Sequence, residues 1–353
     1  MKTNLNPTTK LITILITLTL LFSTTSFAEN TPNTNENSEN PNDLNLYAQS
    51  CILIEKSTGR IAYEKNAEEK TYPASTTKIL TAILAVENTN MSDVVTITGE
   101  MTSKVPPSYT TAYLTPGEQI TIEELLNCLL IPSANDAGFA LAIHISGSVE
   151  EFANLMNQKA KEIGCQNSNF TNPSGIHDEN HYSTAKDMSK IALYATRYPQ
   201  LTNIMCKTSY TLHPNSNYPR TFETTNTLIK PNEPTYYEYA TGMKTGFTAP
   251  AGACIIASAK KDNMEFIAVV LNAPEGDANI TSYRDLDCKA LFEYGFSNFN
   301  EIIKIDKNFM KFINNSYISG ITISNVLKIG LALLSAYLLI VIVHSKKKVK
   351  IKA

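Results

Sequence analysis

The chain of 353 residues lacks any marked excess of one charge: 30 Lys and Arg stand against 33 Asp and Glu, a net charge of −3. Without a basic surplus, nothing in the composition points to a nucleic-acid partner. Cysteine is scarce, six in all, which is too few for a disulfide scaffold at this length. Cys51, Cys128 and Cys254 each sit among apolar neighbours and read as small buried hydrophobes rather than bridge partners. Metal-ligand patterns are missing too. His177 and His181 have helical spacing, but Pro173, Gly175 and Asn180 around them argue for a loop, and no metal or other cofactor is expected. His144, on an apolar helical face, is expected in the core. Residues 30–43 are almost free of apolar side chains, so nothing offsets the entropy of ordering them, and 29–45 reads as a flexible leader.

What is present is length enough for one large core and two apolar ends. Lys2 and Lys10 precede an apolar stretch from Leu11 to Phe22, and Ser26-Phe27-Ala28 supplies small residues at cleavage positions. That is the form of a secretory signal peptide over 1–28. Near the other end, Ile329 to Val343 is apolar on every face, and Val326 to Ser345 would span about 30 Å as a helix. Lys346, Lys347, Lys348, Lys350 and Lys352 follow at once. The reading is a transmembrane anchor at 326–345 with a basic cytoplasmic tail at 346–353. The body would then be held on the outer face of the membrane, with 297–325 as a stalk below a domain at 46–296.

Within the body, Gln49 to Ile54 and Ile61 to Tyr63 read as a hairpin across Ser57-Thr58-Gly59-Arg60. Thr121…Glu124, Ser148…Glu151 and Thr184…Asp187 have the spacing of helix N-terminal capping boxes. Ala253 to Ala259 and Phe266 to Asn272 predict another hairpin, joined at Lys260 to Asn263. A last helix is expected from Arg284 to Tyr294, stopped by Gly295. Strands gather at both ends and helices in the middle, which predicts a mixed α/β (α+β) domain whose antiparallel sheet is flanked by helices and closed from both termini.

The chemistry concentrates in three short stretches. In Pro73-Ala74-Ser75-Thr76-Thr77-Lys78, Ser75 and Lys78 share a helical face, so an amine can reach a hydroxyl. A lysine buried among apolar neighbours loses affinity for its proton and can serve as the base a serine nucleophile needs. By itself Ser-x-x-Lys is common: it recurs at Ser183, Ser258 and Ser345. Only the first copy is followed in order by Ser133-Ala134-Asn135 and by Lys244-Thr245-Gly246. This ordered trio is the signature of penicillin-binding proteins and class A β-lactamases.

Together with Asn172-Pro173-Ser174-Gly175-Ile176-His177, His181-Tyr182-Ser183-Thr184-Ala185-Lys186-Asp187-Met188 and Ala251-Gly252-Ala253-Cys254, the trio makes the chain resemble serine-type D-alanyl-D-alanine carboxypeptidases, the low-molecular-mass penicillin-binding proteins. The resemblance runs from about Ala48 to Phe296 and implies a penicillin-binding, serine β-lactamase-like domain. It implies removal of the terminal D-alanine from peptidoglycan stem pentapeptides through an acyl-enzyme, with β-lactams as covalent inhibitors. By the same resemblance Ser75 is the nucleophile, Lys78 its base, Ser133 a proton relay held by Asn135 and Lys244, and the backbone N–H groups of Ser75 and Phe247 the oxyanion hole. Thr245, Gly246, Phe247 and Arg284 are the expected substrate-binding residues, Arg284 for the terminal carboxylate. Many relatives carry an all-β domain before the membrane anchor. Here the interval after Phe296 is too short for a domain with its own core.

Other readings compete with this one. Glu123-Glu124-Leu125-Leu126-Asn127 mimics a β-lactamase motif but precedes Ser133, so it reads as helix surface and core. A D,D-endopeptidase would use the same residues. A penicillin-binding sensor would need an inward signalling element beyond the short tail after Val343.

Overall fold

A computed structural model describes residues 44–213, 219–276 and 282–315, with side chains as far as Phe299. The expected signal peptide, the leader before Leu44, the anchor and the tail lie outside the described residues. Among the described residues no helix is long and apolar enough to cross a membrane.

The N-terminal hairpin forms as β1 (Ser50–Glu55) and β2 (Ile61–Lys65), and every residue of β1 is buried. Complete burial requires cover on both faces of the sheet, and β1 has a strand on each edge as well. The second neighbour comes from the far end of the chain: β1 also pairs antiparallel with β9 (Met264–Ala273). Then follow β8 (Gly252–Lys261) and β7 (Ala240–Thr248), so the sheet order is β2-β1-β9-β8-β7. This is the expected antiparallel sheet closed from both termini, and it sets Lys244-Thr245-Gly246 on an outer strand.

Because side chains alternate across a strand, the sheet feeds two cores. Ile52, Ile54, Ile256, Ile267 and Val269 face the helices of the middle of the chain. Cys51, Leu53, Ile255, Phe266 and Ala268 face the last helix, which contributes Cys288, Leu291, Phe292, Phe296 and Phe299. That helix runs Tyr283–Asn315, so Gly295 does not stop it and the expected stalk begins as helix. A Cβ on Gly295 would lie 2.8 Å from Leu53 Cδ2 and 3.2 Å from Phe266, so glycine here lets the helix approach the sheet. Sequence alone cannot separate that use of glycine from a helix stop, since both leave a glycine beside apolar positions.

In the helical half, α1 (Lys78–Asn88) is buried from Lys78 to Ala85 and is surrounded by α3 (Ile122–Leu130), α4 (Asn135–Ser146), α5 (Val149–Ile163) and α6 (Ala185–Ala195), the short α2 (Gly99–Ser103) lying before α3. The capping box at Thr121 and Glu124 is reciprocal. At α6 only half of it forms: Thr184 accepts from the Asp187 N–H, while the Asp187 carboxylate accepts from the N–H groups of Gln166 and Asn167 and so ties the preceding loop instead. Glu124 serves the cap and Leu125, Leu126 and Asn127 are buried, in keeping with a structural reading of that stretch. His144 is exposed rather than in the core, because it falls in the last turn of α4, just before Gly147 ends it and beyond the buried run to Ala142. Cys51, Cys128 and Cys254 are buried and unpaired, as their apolar surroundings predict.

Candidate active site

Pro73 and Ala74 open a 3-10 turn, Ala74–Thr77, that runs straight into α1 and sets Ser75 one turn ahead of Lys78. Lys78 Nζ lies 2.8 Å from Ser75 Oγ, 2.8 Å from Asn135 Oδ1 and 2.8 Å from the Ser174 carbonyl oxygen. The orientation of the Asn135 amide is set by its other end, where Nδ2 donates to the Thr110 carbonyl at 2.9 Å. Two of the three neighbours of Nζ can therefore only accept. A neutral amine satisfies both with its two N–H bonds and turns its lone pair to the remaining neighbour, the Ser75 hydroxyl. The geometry thus suits an uncharged Lys78 that receives the serine proton.

Electrostatics push the same way. Lys78 and Lys244 are among the largest wholly buried side chains of the protein. Burial, and then the positive charge of Lys244, lower the proton affinity of Lys78 well below that of an ordinary lysine, with Asp136 pulling weakly in the opposite sense. The Asp136 carboxylate is itself occupied by the N–H groups of Ala112, Leu114 and Ala137. Lys244 is brought down to about 7 by burial and by the nearby Arg284 guanidinium, and its Nζ donates to the Thr245 carbonyl at 2.9 Å.

Three backbone segments meet at Ser75. Gly246 on β7 passes so close that a Cβ there would lie 2.8 Å from the Ser75 nitrogen. Gly175, with φ +75°, abuts the Ala74 carbonyl, where a Cβ would stand 1.8 Å away. Ala74 and Ser133 hold left-handed backbone angles without being glycine, at φ 46° and 69°, a strain that clusters at functional sites. Ser133 lies in the turn between α3 and α4 and lines a cleft of about 610 Å³ with Ser75, Asn135, Thr245, Phe247 and Arg284. Phe247 is 46% exposed at the rim. Arg284 is not a surface arginine: its side chain is 16% exposed, and Nη1 donates to the carbonyls of Gly246 at 3.1 Å and Cys254 at 3.4 Å. It also lies 3.5 Å from Asp285, while Asp287 is engaged by the N–H groups of Tyr47 and Ala48.

The fold therefore brings all nine sequence-predicted residues to one place, with two differences in wiring. The Lys244 amine donates to the Thr245 carbonyl rather than to Ser133, and Asn135 contacts Lys78 rather than Ser133. Sequence reasoning missed the Ser174 carbonyl as a partner of Lys78 and the part played by His181. Thr171 N–H donates to His181 Nδ1 at 3.1 Å, so Nε2 carries the proton and faces Thr77 Oγ1 at 2.9 Å. Burial lowers His181 to about 4, so it stays neutral under the start of α1. The Pro173-Ser174-Gly175 stretch was the available signal, since a glycine there marks a close backbone approach. His177 is separate from His181, exposed at the cleft and edge-on to Tyr72. Among the described residues no group of three or more His, Cys, Asp or Glu side chains is arranged to hold a metal.

Comparison with known proteins places this geometry in a family. The family described as D-alanyl-D-alanine carboxypeptidase matches residues 34–275. The chain is 37% identical over 317 residues to the D-alanyl-D-alanine carboxypeptidase DacF of Bacillus subtilis, covering 86% of this chain and 77% of that one. It is 32% identical to the DacA carboxypeptidase of Haemophilus influenzae, covering 72% of this chain and 63% of that protein. Among solved structures, a Streptomyces DD-transpeptidase superposes with a TM-score of 0.64 at 28% identity, over 71% of this chain and 98% of that one. Penicillin binding protein 5 from Haemophilus influenzae gives a TM-score of 0.64 at 31% identity, over 72% of each chain. The fold is thus the mixed α/β penicillin-binding fold, and with its match to more than half of the sequence the chain belongs to the D-alanyl-D-alanine carboxypeptidase family of serine peptidases.

Proposed function

We propose that the protein removes the terminal D-alanine from peptidoglycan stem pentapeptides, with Ser75 as nucleophile and Lys78 as general base. The observation that carries this reading is the buried Lys78 amine, 2.8 Å from Ser75 Oγ and otherwise surrounded by acceptors. Ser75 Oγ attacks the carbonyl carbon between the two D-alanines as its proton passes to Lys78 Nζ. The negative charge that develops on the carbonyl oxygen is held by the N–H groups of Ser75 and Phe247. Collapse breaks the C–N bond, and the leaving amine takes a proton through Ser133, which faces the same cleft. Water then repeats the attack on the ester and frees Ser75. Thr245 and Arg284, which line the cleft, receive the carboxylate of the departing D-alanine, and Gly246 keeps the strand within reach of the turn.

A β-lactam carbonyl would meet the same nucleophile and leave a stable adduct. Two measurements test the reading. Incubated with a D-Ala-D-Ala pentapeptide, the protein should release one alanine, and labelled penicillin should mark the tryptic peptide containing Ser75 in wild type but not in Ser75→Ala. Cleavage of cross-linked dimers alone would make it an endopeptidase, and an adduct on Ser133 would overturn the roles.

The domain plan from sequence belongs to the same proposal: export by 1–28, a catalytic domain over 46–296, a linking segment, and attachment to the outer face of the membrane through 326–345. Truncation before Val326 should release active enzyme from membranes. Retention of the truncated protein after a high-salt wash would refute the single anchor.

A further inference from the structure

Thr110, whose carbonyl orients Asn135, belongs to a cleft wall that also contributes Ser108 and Tyr109. No helix or strand supports residues 104–118, so something else must hold them in place. From the inside Asp136 binds the N–H groups of Ala112 and Leu114. Gly117 N–H donates to the Ile97 carbonyl at 2.8 Å, His213 Nε2 lies 3.0 Å from Glu118, and from the outside a guanidinium joins the middle of the segment to Glu118. Arg220, the first residue of β6 (Arg220–Glu223), which pairs with β5 (Ser209–Leu212), donates through Nη1 to the Ala112 carbonyl at 3.0 Å and the Tyr113 carbonyl at 2.7 Å. Its Nη2 pairs with the Glu118 carboxylate. Glu118 is a fixed point, because its carbonyl accepts from the Ile97 N–H at 2.9 Å beside β3 (Val94–Thr96). Tyr113 holds a left-handed backbone at φ 56° with its side chain 73% exposed, so its own packing does not account for that conformation.

We infer that Arg220 is a positioning residue for the proton-accepting lysine, acting through the wall at 110–114 and the Asn135 amide. The contacts are continuous. Arg220 holds the carbonyls of Ala112 and Tyr113, Thr110 in the same segment accepts from both the backbone N–H and Nδ2 of Asn135, and Asn135 Oδ1 accepts from Lys78 Nζ. Arginine suits the task because its planar fork can serve two carbonyls and a carboxylate at once, whereas a lysine can restore the charge pair without that geometry. The inference rests on the reading of Lys78 as base.

The test compares wild type with Arg220→Ala and Arg220→Lys, using penicillin acylation under single-turnover conditions and thermal unfolding. Labelling of wild type on Ser75 is the prior control, since its failure would sink the proposed function rather than this inference. Given that label, the first-order acylation constant of Arg220→Lys should fall about ten-fold or more, with the concentration for half-saturation little changed. Its unfolding midpoint should stay near that of wild type, because the ion pair with Glu118 is kept. Arg220→Ala, which loses the ion pair with Glu118 as well, should slow acylation at least as much. An acylation constant for folded Arg220→Lys within about three-fold of wild type overturns the inference, as does a loss confined to half-saturation. If Arg220→Ala does not fold, the acylation constant of Arg220→Lys alone separates these outcomes.

Discussion

Gly246→Ala is the sharpest probe of the proposed oxyanion site, because it adds one methyl group and removes no functional group. An alanine Cβ at 246 would lie 2.8 Å from the Ser75 nitrogen and 3.1 Å from both Ala74 Cβ and the Thr76 nitrogen. Ordinary contacts begin at 3.4 Å, so β7 and the Ser75 turn must part by about 0.6 Å. Both sides of the contact are backbone or a short side chain, so no flexible group can swing away. The opening separates the two groups assigned to the oxyanion, the N–H of Ser75 and that of Phe247 next to the substitution. Loss of one such donor costs about 10²–10³ in rate, and misplacement by about 1 Å costs about 10². A partial opening should therefore slow acylation about 30- to 100-fold, or about 2–3 kcal/mol in the barrier. Stability should change less, since alanine in a strand gains about 0.5–1 kcal/mol over glycine and offsets part of the strain. Stopped-flow acylation by a fluorescent penicillin, with thermal unfolding alongside, measures both. A folded Gly246→Ala protein that acylates within about three-fold of wild type would refute the reasoning that this close approach builds the site.

Three further outcomes are expected. Lys244 is held at about 7 by burial and by Arg284 against 10.5 for a free lysine, so the unfolded chain binds more protons between those values and stability should rise with pH from about 7 towards 9, where the buried thiols begin to oppose it; unfolding midpoints across that range should show the rise, and Lys244→Met should make it shallower, with the buried Lys78 keeping the remainder. Arg284→Ala should cut turnover of the pentapeptide about ten-fold or more, the loss of a charged hydrogen bond of about 1.5–3 kcal/mol, while a C-terminally amidated peptide should be a poor substrate for wild type and little affected by the change; equal losses on both would assign Arg284 to the fold. Gly295→Ala should destabilise by about 1–3 kcal/mol in denaturant unfolding, because its Cβ would press on Leu53 and Phe266, whereas a glycine acting only as a helix stop would lose little in mid-helix or gain.

The chemistry and the broad architecture of this protein are legible in its order of residues. Ser75 and Lys78 are neighbours on any helical turn, and their relation is local and needs no tertiary fold. The strand hairpins can be read because alternation and turn residues are local too, and buried runs at both ends of the chain leave one sheet as the way to cover them. Whatever depends on two distant segments meeting is settled by the folded chain. Folding makes Gly295 a spacer instead of a stop, since the helix must approach Leu53 and Phe266 from another part of the chain. It puts His144 outside, since helical periodicity identifies a face but not where the neighbouring helices end. It turns Asn135 to Lys78 through the Thr110 carbonyl, and it places the Ser174 carbonyl on the same amine. Backbone carbonyls are identical at every position and carry no sequence signal. What lowers the proton affinity of Lys78 is likewise burial among distant segments and a second lysine from the opposite end of the catalytic body, and both exist only once the chain has folded.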